Sequence, residues 1–106
     1  MVTARQIGRA GEAHVVEQLQ GRRFTITNWD TKSPGATDIE MTGGKKHVLV
    51  QVKAGVSPND PPSLSGEEAA AIKGRAVKLG AEPWQARVTL NADLTLKGKI
   101  VWRRIR

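Results

Sequence analysis

The most informative run of the sequence is HVLVQVK, from His47 to Lys53. Its apolar side chains point to both faces of a predicted strand, as in a central strand that other layers cover on both sides. Gln51 and Lys53 interrupt the apolar run at a spacing of two residues, so both side chains project from the same face. A polar pair at the end of a buried strand indicates that this end of the sheet has a role beyond packing.

Before this strand, the sequence predicts a helix and a further strand. Apolar or small residues recur every four positions over residues 4–20, which predicts a helix with one buried face. Gly21 is expected to end this helix in the left-handed conformation. Residues 24–29 form a strand rich in β-branched and aromatic residues, and the Pro34-Gly35 turn lies in the loop that follows.

A hairpin joins the central strand to the strand before it. Residues 37–41 are expected to pair with residues 47–53 across a turn at Gly43-Gly44. Three prolines then make residues 55–63 a loop. The hairpin therefore places the start of one strand beside the end of the other.

Ser65 and Glu68 match a capping box, the signature of a helix start. This second helix is predicted to run to Leu79 and to bury that residue. Strands over residues 85–91 and 98–104 complete the order α-β-β-β-α-β-β. The expected fold is α/β, a mixed β-sheet flanked by helices, in a single domain of 106 residues.

Composition restricts the possible functions. The absence of cysteine excludes a disulfide framework, a thiolate nucleophile and a cysteine zinc site. No apolar run approaches the ~20 residues of a membrane span, and the N-terminus lacks a signal-peptide pattern. We therefore expect no membrane partner and a cytoplasmic location. A net charge of +7 favours a polyanionic partner such as nucleic acid, although a basic surface can also serve solubility alone.

Asp38, Gln51 and Lys53 could together form a site for phosphodiester hydrolysis. Strand pairing across the hairpin can bring Asp38 close to the other two side chains. A carboxylate and a second oxygen ligand can hold a hard cation such as Mg²⁺, which lowers the pKa of a bound water. An ammonium group beside the cation can stabilise developing negative charge. These residue types therefore predict metal-assisted hydrolysis of a polyanion.

The sequence also resembles a known family. The runs GATDIE (residues 35–40) and VLVQVK (residues 48–53) look like the core of the PD-(D/E)XK nuclease superfamily. Gly11-Glu12 resembles the acidic helix that many members place before this core. The resemblance covers about residues 5–54 and implies a restriction-endonuclease-like fold, with an α-β-β-β-α-β core plus a C-terminal strand. The most similar branches are Holliday-junction-resolvase-like and small restriction-like nucleases.

The resemblance implies a catalytic site of four residues. Asp38, Gln51 and Glu12 would bind Mg²⁺ or Mn²⁺, and Lys53 would assist catalysis. Gln51 stands where the family usually has an acidic residue, so the site loses one negative charge and metal affinity should fall. Mrr-type restriction endonucleases resemble this sequence in using Gln-x-Lys, so the change does not by itself imply inactivity. Thr37 stands where the motif often has proline.

Basic residues on the first helix and around it are expected to contact DNA phosphates. They are Arg5, Arg9, Lys32, Arg22 and Arg23. Arg5 and Arg9 lie one helical turn apart, on one face near Glu12, and are the best candidates. A small nuclease that cuts two strands would most simply act as a homodimer, with one site per strand.

Histidine and tryptophan residues are expected to have structural roles. His14 and His47 show no metal-ligand spacing. His14 is predicted to lie at the surface or at the edge of the core, and His47 is predicted to lie at the surface. Trp29, Trp84 and Trp102 are predicted to serve as apolar anchors of the core or of a dimer interface.

Three functions remain open from the sequence. The leading hypothesis is a divalent-metal-dependent DNA endonuclease. The alternative is a non-catalytic DNA-binding module or subunit that retains the nuclease fold, which the neutral Gln51 favours. In the third, a basic structural protein of a nucleoprotein assembly, the site residues have ordinary roles. Asp38 would then cap a turn, Lys53 would be a solvated strand end, and Glu12 would be a surface charge.

Overall fold

A computed structural model describes residues 2–29 and 38–106, except for the side chain of Asp38. These residues form two helices and five strands. In chain order they are α1 (Ala4–Gly21), β1 (Thr25–Trp29), β2 (Asp38–Gly43), β3 (Lys46–Val56), α2 (Gly66–Leu79), β4 (Glu82–Leu90) and β5 (Val101–Arg104).

The five strands form one mixed sheet in the order β1-β2-β3-β4-β5. Neighbouring strands are antiparallel except for β3 and β4, which run parallel. A parallel pair needs a crossover connection, and α2 provides it. The order of elements and the mixed sheet with two helices confirm the predicted α/β architecture.

The central strand β3 is covered on both faces, as its apolar pattern predicted. Val48 and Val50 belong to the larger core cluster, which includes Val15 and Val16 of α1. Leu49 points the other way and packs in a smaller cluster with residues of α2. Alternate residues of β3 therefore face α1 and α2.

The predicted end of α1 at Gly21 was wrong. Gly21 is the last helical residue, Arg22 follows as the cap, and Arg23 takes the positive φ of 69°. The Phe24 N–H bonds back to the carbonyl of Leu19 at 2.9 Å. The Phe24 ring also packs where a Cβ of Gly43 would be, 2.9 Å from that position. The left-handed conformation therefore occurs at Arg23, which directs the chain so that Phe24 packs against the sheet at Gly43.

The hairpin turn lies one residue later than predicted. Gly43 still pairs with Lys46, so the two-residue turn is Gly44-Lys45, and Gly44 has a φ of 58°. The predicted start of the loop at residue 55 was also wrong, because β3 continues to Val56 in parallel pairing with β4. This extended pairing supplies backbone hydrogen bonds up to the start of the proline-rich loop.

Helix α2 begins at the predicted capping box. The Ser65 side chain accepts a hydrogen bond from the Glu68 N–H, and the Glu68 side chain accepts one from the Ser65 N–H. Gly80 ends the helix with a φ of 68°. Leu79 is 43% exposed, so its predicted burial was wrong. The apolar cluster under α2 is small, and Leu79 lies beyond its end.

Within the described residues, neither helix combines the length and the apolar character that crossing a membrane requires.

Candidate active site

The hairpin places Asp38 directly opposite Gln51. The two residues are partners in the antiparallel register of β2 and β3, at the start of one strand and near the end of the other. Directly paired residues have Cβ atoms about 4.5–5.5 Å apart. The side chain of Asp38 lies outside the described part of the structure, so only its backbone position is available.

Gln51 and Lys53 face α2 and are largely removed from solvent. Gln51 is 2% exposed, and the Lys53 side chain is 16% exposed. They follow Leu49, which packs against α2 on the same face of β3. Lys53 is therefore not a solvated strand end.

Glu68, in the first turn of α2, joins these two side chains. Its Oε2 atom accepts a hydrogen bond from Lys53 Nζ at 2.6 Å and another from Gln51 Nε2 at 3.3 Å. Its Oε1 atom accepts the Ser65 N–H at 3.1 Å, which completes the capping box. One carboxylate thus connects the start of α2 to Gln51 and Lys53 of β3.

The pKa of the Glu68 carboxyl is held below its ordinary value. The largest cause is the hydrogen bond from Lys53, followed by the hydrogen bond from the Ser65 backbone. Burial acts in the opposite direction and does not outweigh them. Glu68 is therefore an anion at neutral pH.

Sequence reasoning assigned Glu68 a capping role and missed its place in the site. A crossover helix after a parallel strand begins near the carboxyl end of that strand. Lys53 lies toward that end of β3, and Glu68 lies in the first turn of the crossover helix. The combination of a capping-box Glu with a Gln-x-Lys strand end was the available signal.

The Gln51 side chain has one free hydrogen-bonding end. Its Oε1 atom is buried and has no hydrogen-bond partner among the described residues. A buried carbonyl oxygen without a hydrogen-bond partner lowers the stability of the folded protein, and a bound cation would supply the missing partner. The amide N–H side of Gln51, in contrast, is engaged by Glu68.

Glu12 is buried on α1 and not a surface charge. It is 9% exposed, and its Oε1 atom accepts a hydrogen bond from the Trp29 indole N–H at 2.9 Å. Helix α1 covers the face of β3 opposite to Gln51 and Lys53. The described contacts therefore join Glu12 to the end of β1 and do not bring it beside Gln51 and Lys53. The role of Trp29 as partner of Glu12 was not foreseen.

The predicted DNA-contacting arginines fall into two separate groups. Gly11 packs against Ala54 and Val52, which places the first half of α1, with exposed Arg5 and Arg9, over the end of β3 that carries Lys53. Arg22 and Arg23 are also exposed.

These two residues lie toward the other end of β3. They immediately precede Phe24, whose ring packs at Gly43, and Gly43 pairs with Lys46 at the start of β3. Seven residues of strand separate Lys46 from Lys53, about 23 Å. The structure therefore separates Arg22 and Arg23 from the candidate site, whereas Lys32 lies outside the described residues.

Arg87 of β4 is a further cation beside the site that sequence reasoning missed. It is the parallel partner of Lys53. Its Nη2 atom donates to the carbonyl of Pro61 at 2.5 Å and so ties the proline-rich loop to the sheet. The same register places Gln85, which is also buried, beside Gln51.

The described side chains contain no cluster of three or more His, Cys, Asp or Glu residues that could hold a metal. The carboxylate of Asp38 is not among these described side chains. The histidines have other partners: His14 Nε2 lies 3.0 Å from the Leu94 carbonyl, and His47 Nε2 lies 2.5 Å from Glu40. A cation at this site would therefore depend on oxygen ligands at the paired ends of β2 and β3.

The mixed sheet lies between two helices, with Gln51 and Lys53 toward the end of its central strand. This is the fold that the sequence resemblance implied. Among solved structures, the chain is similar to Hjc of Archaeoglobus fulgidus, a Holliday junction resolvase from an archaeal hyperthermophile. The TM-score is 0.65 at 20% identity, over 92% of this chain and 77% of the resolvase. At this identity the likeness concerns the fold.

No protein-family model matches the chain, and no curated protein matches it.

Proposed function

We propose that this protein is a divalent-metal-dependent DNA endonuclease that hydrolyses phosphodiester bonds. The observation that carries this proposal is the cluster toward the end of β3, where buried Gln51 and partly buried Lys53 share a face and Asp38 pairs with Gln51. The fold shared with a resolvase supports it, and so does the net charge of +7. Because the similar protein acts on Holliday junctions, junction DNA is the first substrate to test.

Oxygen ligands at the site fit a hard divalent cation. The Gln51 Oε1 atom is buried without a partner among the described residues, and Asp38 pairs with Gln51 in register. We assign these two residues as ligands and leave out Glu12, because α1 holds it across the sheet, where it binds Trp29. When bound, Mg²⁺ or Mn²⁺ would stabilise negative charge on the phosphate and lower the pKa of a bound water.

Lys53 and the arginines of α1 would act on the DNA itself. The Lys53 ammonium is held in a site with little solvent, where an oriented charge stabilises an anion more strongly than it would in water. Arg5 and Arg9 are exposed on the half of α1 that covers this end of β3. Contacts from them to phosphates would position the DNA without selecting a sequence.

A homodimer is the simplest assembly for cutting two strands, because two-fold symmetry gives one site per strand. Native mass spectrometry and sedimentation at working concentration would give the assembly state. A monomer that nonetheless cuts both strands would contradict this part of the proposal.

The alternative is a DNA-binding module that keeps the fold without the chemistry. Gln51 is the observation that favours it, since a neutral ligand binds a divalent cation more weakly than a carboxylate does. This alternative predicts tight DNA binding with no cleavage in the presence of any divalent metal.

The test is cleavage of labelled four-way junction and duplex DNA with Mg²⁺, with Mn²⁺ and with EDTA. We expect cleavage that requires the metal and is lost in Lys53→Ala. Lys45→Ala serves as the matched control, because Lys45 is an exposed lysine in the hairpin turn at the far end of β3. Binding without cleavage under every metal condition would replace the endonuclease with the binding module.

A further inference from the structure

We propose that Glu68 is a positioning residue that fixes the orientation of the Gln51 amide and the place of the Lys53 ammonium. In this role it also supplies from α2 the negative charge that Gln51 lacks on β3. This inference rests on the proposed nuclease function and assigns a task within the same site.

The orientation of the Gln51 amide follows from hydrogen-bond chemistry. The two ends of a side-chain amide differ, because the nitrogen donates and the oxygen accepts. An ionised carboxylate only accepts, so Glu68 Oε2, 3.3 Å away, selects the orientation with Nε2 toward it. The flipped amide would place two acceptors against each other. Glu68 thereby leaves the Gln51 oxygen, which has no partner among the described residues, available to a cation.

Glu68 is itself held firmly enough for this task. Its Oε1 atom accepts the Ser65 N–H at 3.1 Å, and its own N–H donates to Ser65 Oγ at 3.1 Å. The capping box fixes one carboxylate oxygen at the start of α2. The other oxygen is then directed at Gln51 and Lys53.

The charges of the three side chains support the proposal that Glu68 supplies the negative charge that Gln51 lacks. Gln51 is neutral, and the positive Lys53 lies 2.6 Å from the negative Glu68. The trio is formally neutral, as a carboxylate on the strand followed by the lysine would be. The carboxylate thus lies on the helix that faces the strand, and there it serves as the counter-charge of the lysine.

The direct test is the Gln51 side-chain amide in metal-free, DNA-free protein, observed by ¹⁵N NMR. Glu68→Gln keeps an oxygen for the Ser65 N–H, since Gln also serves in a capping box, but places a donor against Gln51 and Lys53. We expect the Gln51 side-chain amide protons to exchange with solvent roughly tenfold faster in this variant. Glu67→Gln is the matched control, because Glu67 is an exposed acidic neighbour in the same helical turn.

Ser65→Ala separates capping from positioning. It removes the hydroxyl that accepts the Glu68 N–H but leaves the carboxylate in place. We expect this variant to lower stability while the Gln51 amide signals stay as in the parent protein. Equal Gln51 amide exchange in Glu68→Gln and Glu67→Gln would overturn the inference, because Glu68 would then have only a capping role.

Metal affinity, measured without DNA, tests whether Glu68 supplies the negative charge that Gln51 lacks. We expect Glu68→Gln to weaken binding of Mn²⁺, followed by calorimetry without DNA, by roughly tenfold. The double variant Gln51→Glu with Glu68→Gln returns the carboxylate to the strand and should recover the affinity. Mn²⁺ affinity that is unchanged by Glu68→Gln would contradict the compensation.

The two proposals fail in different ways. An amide response to Glu68→Gln in a protein that cleaves no DNA would keep Glu68 as the residue that orients Gln51 and would remove the nuclease function. Metal-dependent cleavage with an unresponsive Gln51 amide would keep the nuclease and remove the role of Glu68.

Discussion

At the scale of the single residue, Lys53 illustrates how the chain keeps a charge at the end of a buried strand. Removing an ammonium from water costs free energy unless an opposite charge and hydrogen bonds compensate. Glu68 provides both at 2.6 Å, and the side chains of the pair keep 16% and 27% of their exposure. The pair is therefore stable but not fully buried, and its energetic contribution should be modest.

Lys53→Met tests whether this lysine serves chemistry more than folding. Met keeps an unbranched chain of similar length and removes the charge, while Glu68 stays partly exposed and keeps its bonds to Ser65. We expect the free energy of unfolding to fall by about 1 kcal/mol. Cleavage should fall by roughly 100-fold or more. Urea unfolding and a cleavage assay on the same preparation measure both.

A loss of several kcal/mol in stability would contradict this expectation for Lys53. It would show that the ion pair is mainly a structural element of α2 and β3, and any loss of cleavage would then follow from misfolding.

At the scale of the element, the close approach of α1 to the sheet depends on Gly11. A Cβ atom at this position would lie 2.6 Å from the Cβ of Ala54 and 3.4 Å from Val52 Cγ1. Because the helix backbone at Gly11 lies so close to β3, any larger residue at this position would require the helix to move. The contact also holds Glu12, the next residue, at the end of the sheet where it meets Trp29.

Gly11→Ala is therefore expected to destabilise the protein by about 1–3 kcal/mol, because the added methyl group forces α1 away from β3. Gly74→Ala is the matched control on α2, where an added Cβ would have no atom within 4 Å among those described. Since alanine favours a helix over glycine, Gly74→Ala should stabilise by about 0.5–1 kcal/mol. Urea denaturation of both variants measures the difference, and equal effects of the two changes would contradict the close packing.

The elements themselves could be predicted because their signals are local. The four-residue period of α1, the Ser65 capping box and the apolar run of β3 lie within short windows, and the structure contains all three. The end of α1 could not be predicted, because it depends on where Phe24 packs against Gly43. The exposure of Leu79 was missed for a similar reason, since it depends on how far the apolar cluster under α2 extends.

Only the site residues that belong to a sequence motif could be predicted. Asp38, Gln51 and Lys53 lie on one hairpin, so their closeness along the backbone could be predicted. The exact pairing of Asp38 with Gln51 could not, because it depends on a turn that lies one residue later than predicted. Glu68 and Trp29 were missed because their partners lie 15 and 17 residues away in the chain. The Trp29 pairing has no local pattern, and the Glu68 pairing requires two separate patterns to be combined, because both contacts arise only when helix and sheet pack together.

At the scale of the whole molecule, the net charge of +7 is distributed so that basic residues lie at both ends of α1. Arg5 and Arg22 are 17 residues apart, about 25 Å along the helix axis. Arg5 and Arg9 lie on the half that covers the Lys53 end of β3, and Arg22 and Arg23 lie toward the hairpin turn. We therefore propose that Arg5 and Arg9 are the residues that contact DNA near the site.

Salt dependence of DNA binding can distinguish the two pairs. Each phosphate contact contributes about 0.9 to the slope of log K against log salt, so Arg5→Gln with Arg9→Gln should reduce the slope by nearly two. The comparison is Arg22→Gln with Arg23→Asn, in which Asn tolerates the positive φ of 69° at position 23. A larger reduction from the second pair would place the DNA at the opposite end of α1.

We propose that Asp38, opposite Gln51 in the hairpin, belongs to a hydrolytic site. The experiment that tests this compares the parent protein and Asp38→Ala on one labelled four-way junction, with binding measured in EDTA and cleavage in Mg²⁺. We expect Asp38→Ala to abolish cleavage while binding is retained or tightened, because a carboxylate near the phosphates is gone. Cleavage by Asp38→Ala at the rate of the parent protein would contradict it.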